Sequence, residues 1–203
     1  MKDVKELKIK LFADGADLAG IAEMAANPLI KGFTTNPTLM RKAGVRDYQA
    51  FALEALRIVG DKPISFEVFA DDFDEMEKQA LEIASWGQNV YVKVPVMNTK
   101  GKFSGHLIRR LSLARVKLNV PAVMIPDQVG MITECLAPDT AAIISVFAGR
   151  IADTGRDPMF IMSQAVRTMK VKPKAELIWA SPRELLNIYQ LLVKHFLKVL
   201  HYT

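Results

Sequence analysis

The chain has 203 residues, half of them hydrophobic, enough for one sizeable core, and residues 1–203 read as a single domain. Its net charge of +5 is spread along the chain rather than gathered with aromatics in one tract, which argues against a nucleic-acid partner and suits an anionic small substrate. No run approaches the roughly 20 apolar residues that cross a bilayer, and Met1 to Lys10 alternates charged with apolar residues, so no membrane segment or signal peptide is expected and a cytoplasmic protein is the default.

Short β-type runs alternate with longer amphipathic stretches along the whole chain. The β-type runs are Ile9 to Ala13, Gly32 to Asn36, Ile64 to Phe69, Val90 to Val96, Lys117 to Met124, Ala142 to Phe147 and Glu176 to Ala180. Helical spacing falls on Leu18 to Ala26, Tyr48 to Val59, Asp74 to Trp86, Leu107 to Val116 and Pro158 to Met169. Such an order predicts an α/β fold with parallel strands and right-handed crossovers. A Rossmann-type sheet is the main rival, but no strand is followed by a GxGxxG turn.

Period-two alternation separates the two architectures. In Val90 to Val96 the four valines point one way, while Tyr91, Lys93 and Pro95 point the other. Ser65 and Glu67 likewise oppose Ile64, Phe66 and Val68. The same split groups Phe12 with Asp14, Thr34 with Asn36, Lys117 with Asn119, Ser145 with Phe147, and Trp179 with Ser181. Each strand then has an apolar face for helices and a second face that turns polar near its C-terminal end. In a (β/α)8-type TIM barrel those second faces converge on one interior, with chemistry at the C-terminal mouth. A doubly wound sheet would be apolar on both faces.

Three charged residues stand out on the inward faces. Lys93 lies mid-strand between valines, where burial disfavours the ammonium and favours an amine able to attack a carbonyl; an edge-strand lysine is the alternative. Asp14 and Glu67 are inward carboxylates, rare unless paired or used, and could serve as general base and proton shuttle or belong to an ion-pair network. Thr34, Asn36, Asn119 and Ser145 add neutral donors and acceptors suited to the hydroxyls of a sugar. Arg150, Ser181 and Arg183 follow the sixth and seventh strands, where barrels often hold phosphate. Ser181-Pro182-Arg183-Glu184 also has the form of a helix capping box. The single Cys135, beside Met131, Ile132 and Leu136, reads as a packed thiol. Without a CxxC or HExxH pair no metal site is expected.

Taken together, LFADGAD (11–17), GFTTNPTLM (32–40), ISFEVFA (64–70), VYVKVPV (90–96), LNVPAV (118–123), SVFAGRIADTG (145–155) and WASPREL (179–185) resemble the transaldolase family of Schiff-base aldolases. The resemblance implies that Lys93 forms an imine with a sugar phosphate and that Asp14 exchanges a proton with the hydroxyl of the bond cleaved. It further implies that Glu67 works through a water, that Asn36, Asn119 and Ser145 hold a dihydroxyacetone unit, and that Arg150, Ser181 and Arg183 hold phosphate. Glu67 and Phe147, where the related fructose 6-phosphate aldolases have glutamine and tyrosine, lean towards transaldolase. Pro121 departs from the family, which usually has a threonine there to position the water. After Ser181 a single helical stretch, Glu184 to about Tyr202, is read, and no eighth strand is recognisable, so the barrel is expected to be truncated after the seventh.

The expected function is transfer of a dihydroxyacetone unit between ketose and aldose phosphates within carbohydrate metabolism (the pentose phosphate pathway). The lysine is the electron sink, and no cofactor is needed. A simple aldolase and a catalytically silent sugar-phosphate-binding copy are the alternatives. Sugar phosphates are the expected partners, with self-association left open.

Overall fold

A computed structural model of the protein describes residues 9–193 and 199–202. Eight strands run β1 Lys10–Asp14, β2 Ile30–Thr34, β3 Ile64–Glu67, β4 Val90–Lys93, β5 Leu118–Val123, β6 Ala142–Val146, β7 Ala175–Trp179 and β8 Val199–Tyr202. They form a closed barrel in chain order, each strand parallel to its neighbours. The helices are α1 Leu18–Ala26, α2 Pro37–Lys42, α3 Tyr48–Val59, α4 Phe73–Ser85, α5 Gly105–Leu113, α6 Pro126–Cys135, α7 Ala148–Asp153, α8 Met159–Met169 and α9 Leu186–Val193.

The expected barrel class is therefore met, but strand pairing does not stop at β7. Lys10 to Ala13 of β1 pairs with Val199 to Tyr202, and Ile178 and Trp179 of β7 pair with Val199 and Leu200. Apolar spacing beyond α9 continues the helical pattern and hides a four-residue strand behind it. Residues 194–198, which that pattern made helical, lie outside the described residues.

Local chemistry explains where several elements start. The Asp17 carboxylate accepts from Gly20 N at 2.8 Å to cap α1, and the Asp47 carboxylate accepts from Ala50 N at 2.9 Å to cap α3. Asn36 does the same for α2, accepting from Leu39 N at 2.9 Å, with Pro37 at the first helical position. That cap is why β2 ends at Thr34 rather than at Asn36. At α6, the Gln128 side chain reaches back to accept from Met124 N and Ile125 N at 2.8 and 3.3 Å. No helix among the described residues is long and apolar enough to cross a membrane.

Two apolar clusters follow from the alternation of each strand. The larger lies between barrel and helices and holds Phe66, Val92, Leu118, Ile144 and Trp179. The smaller fills the barrel interior with Phe12, Ile143, Ile178 and Ala180, against which Tyr91 and Phe147 pack. Phe12, Tyr91 and Ile143 each lie two residues before Asp14, Lys93 and Ser145, so they form an apolar layer directly below the polar one.

Gly32 on β2 makes room for this plug. A Cβ there would lie 2.4 Å from Cζ of the Phe12 ring, which is 1% exposed and has nowhere to move. Gly32→Ala is expected to destabilise the protein by about 1–3 kcal/mol, the usual cost of overpacking a core. Urea unfolding should show a lower midpoint at unchanged slope. Gly32→Ala combined with Phe12→Leu should recover part of the loss, whereas an undiminished loss would place the conflict elsewhere.

Candidate active site

Strand register brings the inward polar residues to one end of the barrel. Asp14 is paired with Thr34 and Thr34 with Ser65; one step further up, Glu67 is paired with Lys93 and Lys93 with Asn119. Above them opens a cavity of about 500 Å³, a size suited to a small metabolite. Its lining includes Asp14, Thr34, Asn36, Glu67, Lys93, Asn119, Ser145, Phe147, Arg150 and Ser181, ten of the eleven residues singled out from sequence. The eleventh, Arg183, is not in the lining.

Lys93 reaches the cavity floor as a buried amine with two acceptors. Its Nζ donates to the Thr35 carbonyl at 2.8 Å and stands 3.2 Å from Glu67 Oε2. Thr35 is held in turn by β3, since both its N–H and its hydroxyl donate to the Ser65 carbonyl at 3.0 Å. A backbone carbonyl carries no side-chain signature, so its role could not be foreseen from residue type. Glu67 thus stands in direct contact with Lys93.

Asp14 sits across the floor. Its Oδ1 accepts from the Thr34 hydroxyl at 2.8 Å, and its Oδ2 lies 3.4 Å from Asn36 Nδ2, a long contact. Because the Asn36 amide oxygen is occupied by the α2 cap, its NH2 is the end directed at Asp14. Neutral groups are wired as firmly on the opposite side. The Ser145 hydroxyl donates to Asn119 Oδ1 at 2.7 Å, and Asn119 Nδ2 donates to Ser65 Oγ at 3.0 Å. All three residues are buried, so the orientation of the Asn119 amide is fixed by partners at both ends. Ser65 was placed on the inward face by alternation but not singled out as a site residue.

Pro121 lines the cavity within a bulge of β5, where the register with β6 shifts between Val120 and Val123 and Ala122 adopts a φ of 66°. Its carbonyl still accepts from Val96 N at 3.2 Å. Proline fits here because its nitrogen, like its carbonyl, faces β4, whose pairing with β5 ends at Lys93 and Asn119, so no ladder bond needs the missing N–H.

The loops after β6 and β7 differ from expectation in two ways. Trp179 does not share an inward face with Ser181: the indole is buried among the helices, and Ile178 and Ala180 point inward. Ser181 nonetheless lines the cavity, because its φ of 57° breaks the alternation just after β7. The capping box is also not formed. Arg183 N and Glu184 N instead donate to Asn187 Oδ1 at 2.8 and 3.2 Å, and α9 begins only at Leu186. Gly149 allows the two loops to meet. Its N–H donates to the Ala180 carbonyl at 3.2 Å, and a Cβ on it would lie 1.5 Å from the Ser181 carbonyl oxygen.

The two arginines separate here. Arg150 stacks over the Phe147 ring at 4.6 Å and faces the cavity. Arg183 is bound by Asp153 through two contacts, Nε to Oδ1 at 2.9 Å and Nη2 to Oδ2 at 2.6 Å, with Nη1 on the Ser181 carbonyl at 3.0 Å. Hydrogen bonding to Arg183 holds the Asp153 carboxyl below its usual range. The link is therefore fully present above the ordinary carboxylate range and is lost as pH falls through the lowered Asp153 value. Both side chains are about half exposed (45% and 50%), so screening keeps its worth small.

The family profile described as Transaldolase/Fructose-6-phosphate aldolase matches residues 11–199. A protein named "Probable transaldolase" from Methanococcus maripaludis (strain C7 / ATCC BAA-1331) is 33% identical over 183 residues, covering 90% of this chain and 80% of that one. "Probable transaldolase 2" of Listeria monocytogenes is 34% identical over 178 residues, covering 87% and 77%. Among solved structures, one assigned to the dihydrodipicolinate synthase family from Coccidioides immitis superposes with a TM-score of 0.68 at 13% identity, over 94% of this chain and 65% of that one. At that identity the likeness concerns the fold.

The position of each arginine gives a direct expectation for anion binding. Arg150→Ala should weaken binding of inorganic phosphate by about one to two powers of ten, the usual range for a charge-assisted contact. Arg183→Ala should cost less, because Asp153 already occupies two of its donors. Titration calorimetry at one fixed salt concentration checks the order, and a larger loss for Arg183→Ala would reverse the assignment.

Proposed function

The chain belongs to the Transaldolase/Fructose-6-phosphate aldolase family, and from that premise we propose that it transfers a dihydroxyacetone unit between sugar phosphates through an imine on Lys93. One observation carries this reading. A buried lysine amine faces the cavity with a carboxylate at 3.2 Å to take its proton, while a second carboxylate stands apart from it on β1. Division of the two acids between separate tasks is what an aldol cleavage through an imine requires.

The steps follow from those positions. Glu67 accepts a proton from the Lys93 ammonium, and the freed amine attacks the ketone carbon of a ketose phosphate. The nitrogen passes one proton to the new alkoxide, Glu67 returns the other to the resulting hydroxyl, water leaves, and a protonated imine remains as the electron sink. Asp14 takes the proton of the hydroxyl on the carbon beyond the bond to be broken. That bond then cleaves, its electron pair passes to the imine as an enamine, and an aldehyde phosphate departs. The retained three-carbon unit adds to a second aldehyde by the reverse path, and hydrolysis releases Lys93.

Neutral groups suit the unit that stays behind. Asn36, Asn119 and Ser145 offer oriented amides and a hydroxyl to its two oxygens, and they add no charge that would oppose the imine. Arg150, with Ser181 beside it, lies at the cavity edge where the phosphate of a longer sugar would end. Its contact with the Phe147 ring holds the guanidinium without using its hydrogen-bond donors.

Borohydride reduction in the presence of a ketose phosphate should add one sugar-derived group to the protein, and peptide mapping should place it on Lys93. Lys93→Met should abolish the adduct in protein that circular dichroism shows to be folded. Labelling that survives in that variant would remove Lys93 from the mechanism. Product analysis distinguishes the related activities: an added aldose phosphate should capture the three-carbon unit, whereas free dihydroxyacetone as the main product would indicate a simple aldolase.

A further inference from the structure

We propose that Tyr48, on the first turn of α3 and outside the cavity, is a positioning residue that sets Glu67 against Lys93 by gripping both polar backbone groups of Glu67. The proposal rests on the pairing of Lys93 with Glu67 read above as the reacting couple.

The need for such a grip follows from the end of β2. Strands β2 and β3 are paired only at Phe33 with Ile64 and Thr34 with Ser65, and the last bond between them runs from Thr35 N to the Ser65 carbonyl at 3.0 Å. Past that point the chain turns through Asn36 and Pro37 into α2. Residues two apart in a strand present their N–H and C=O to the same side. The backbone of Glu67 therefore faces the gap that β2 has left, whereas the next residue faces β4 and donates from Val68 N to the Lys93 carbonyl at 3.1 Å.

The Tyr48 hydroxyl fills this gap. It accepts from Glu67 N at 2.8 Å and donates to the Glu67 carbonyl at 2.9 Å, the two bonds a neighbouring strand would otherwise make. A hydroxyl is suited to this because it donates and accepts through one atom. Burial pushes its ionisation well above the usual phenol range, so the donor proton is kept. The ring is held edge-on by Phe69, Trp86 and Phe66, with centroids 4.8, 5.2 and 6.2 Å away, and the Asp47 cap fixes the start of α3 beneath it. The Glu67 backbone is thus clamped by Tyr48, Val68 after it is tied to the lysine strand, and the Glu67 side chain sets out towards Lys93 from a fixed point.

A variant cycle on the full chain tests this with Tyr48→Phe, Glu67→Gln and the double variant. The first readout is the rate at which acetic anhydride modifies Lys93, followed by peptide mass analysis, which needs no enzymatic turnover. Tyr48→Phe should raise that rate by at least about threefold, within the coupling seen for residues of one network, because the carboxylate that stands 3.2 Å from the amine and engages it is displaced. In the Glu67→Gln background the same change should have little effect. An equal effect in both backgrounds, or none in either, would overturn the proposal in favour of a purely structural tyrosine. The second readout is kinetic, with kcat expected to fall and KM to stay within about twofold. A protein that traps no sugar with borohydride would refute the proposed function, while the labelling cycle would still decide the role of Tyr48. Should Tyr48→Phe fail to fold, hydrogen exchange in the unmodified protein decides it: the Glu67 amide should be as protected as those within β3, and free exchange would refute the clamp.

Discussion

A primary amine inside a barrel must be given acceptors, and the upper half of this molecule is arranged around that requirement. Lys93 has two, of different kinds. The Thr35 carbonyl is fixed by backbone and side-chain bonds to β3, and it can orient the amine but cannot take a proton from it. The Glu67 carboxylate can do both. Losing one partner of a buried ion pair typically costs about 3–5 kcal/mol, so neither charge is an incidental occupant of its strand. The early departure of β2 is part of the same arrangement, since the turn that ends it brings the Thr35 carbonyl over the amine.

Around this charged pair the interior is graded. Beneath it lies an apolar plug, Phe12 with Ile143 and Ile178, that separates it from the Lys10–Glu176 pair lower in the barrel. Beside it the chain from Ser145 through Asn119 to Ser65 consists of neutral groups whose donors and acceptors are matched to one another. In a region of low dielectric a matched chain is rigid and an unmatched one is costly, so the Asn119 amide presents one defined orientation to whatever enters. Asp14, with Thr34 and Asn36, forms a second polar cluster on the other side. The two carboxylates are thereby kept in separate surroundings.

Much of this could be read from the chain alone. Alternation in seven of the eight strands located the barrel and placed Asp14, Glu67, Lys93, Asn119 and Ser145 on one interior. Where the reading failed, the reasons are physical. Spacing assigns Trp179 and Ser181 to one face because a left-handed residue just past β7 cannot be told from an ordinary serine. The ion pair of Arg183 was not legible either, because its partner Asp153 lies thirty residues earlier and only packing brings the two together. β8 is four residues long behind a helical pattern and has no signal strong enough to separate it. Tyr48 read as the first residue of an amphipathic helix, because a hydroxyl that completes a distant strand leaves no trace in local sequence.

The contact of Gly149 with the Ser181 carbonyl bears on how this barrel could be recombined with its relatives. Modular descriptions of (β/α) barrels treat each strand with its following loop as an exchangeable cassette. Here the sixth and seventh cassettes are not independent, because one supplies an absent side chain and the other the backbone oxygen that occupies its space. A chimera with its junction between residues 150 and 180 would draw these halves from different parents, and it would keep the fit only where both parents have the same backbone path past the seventh strand. Junctions placed before residue 149 or after residue 183 leave the contact within one parent, together with the Arg183–Asp153 link that braces it. The C-terminal mouth is thus divided into inheritable units that do not coincide with its strands.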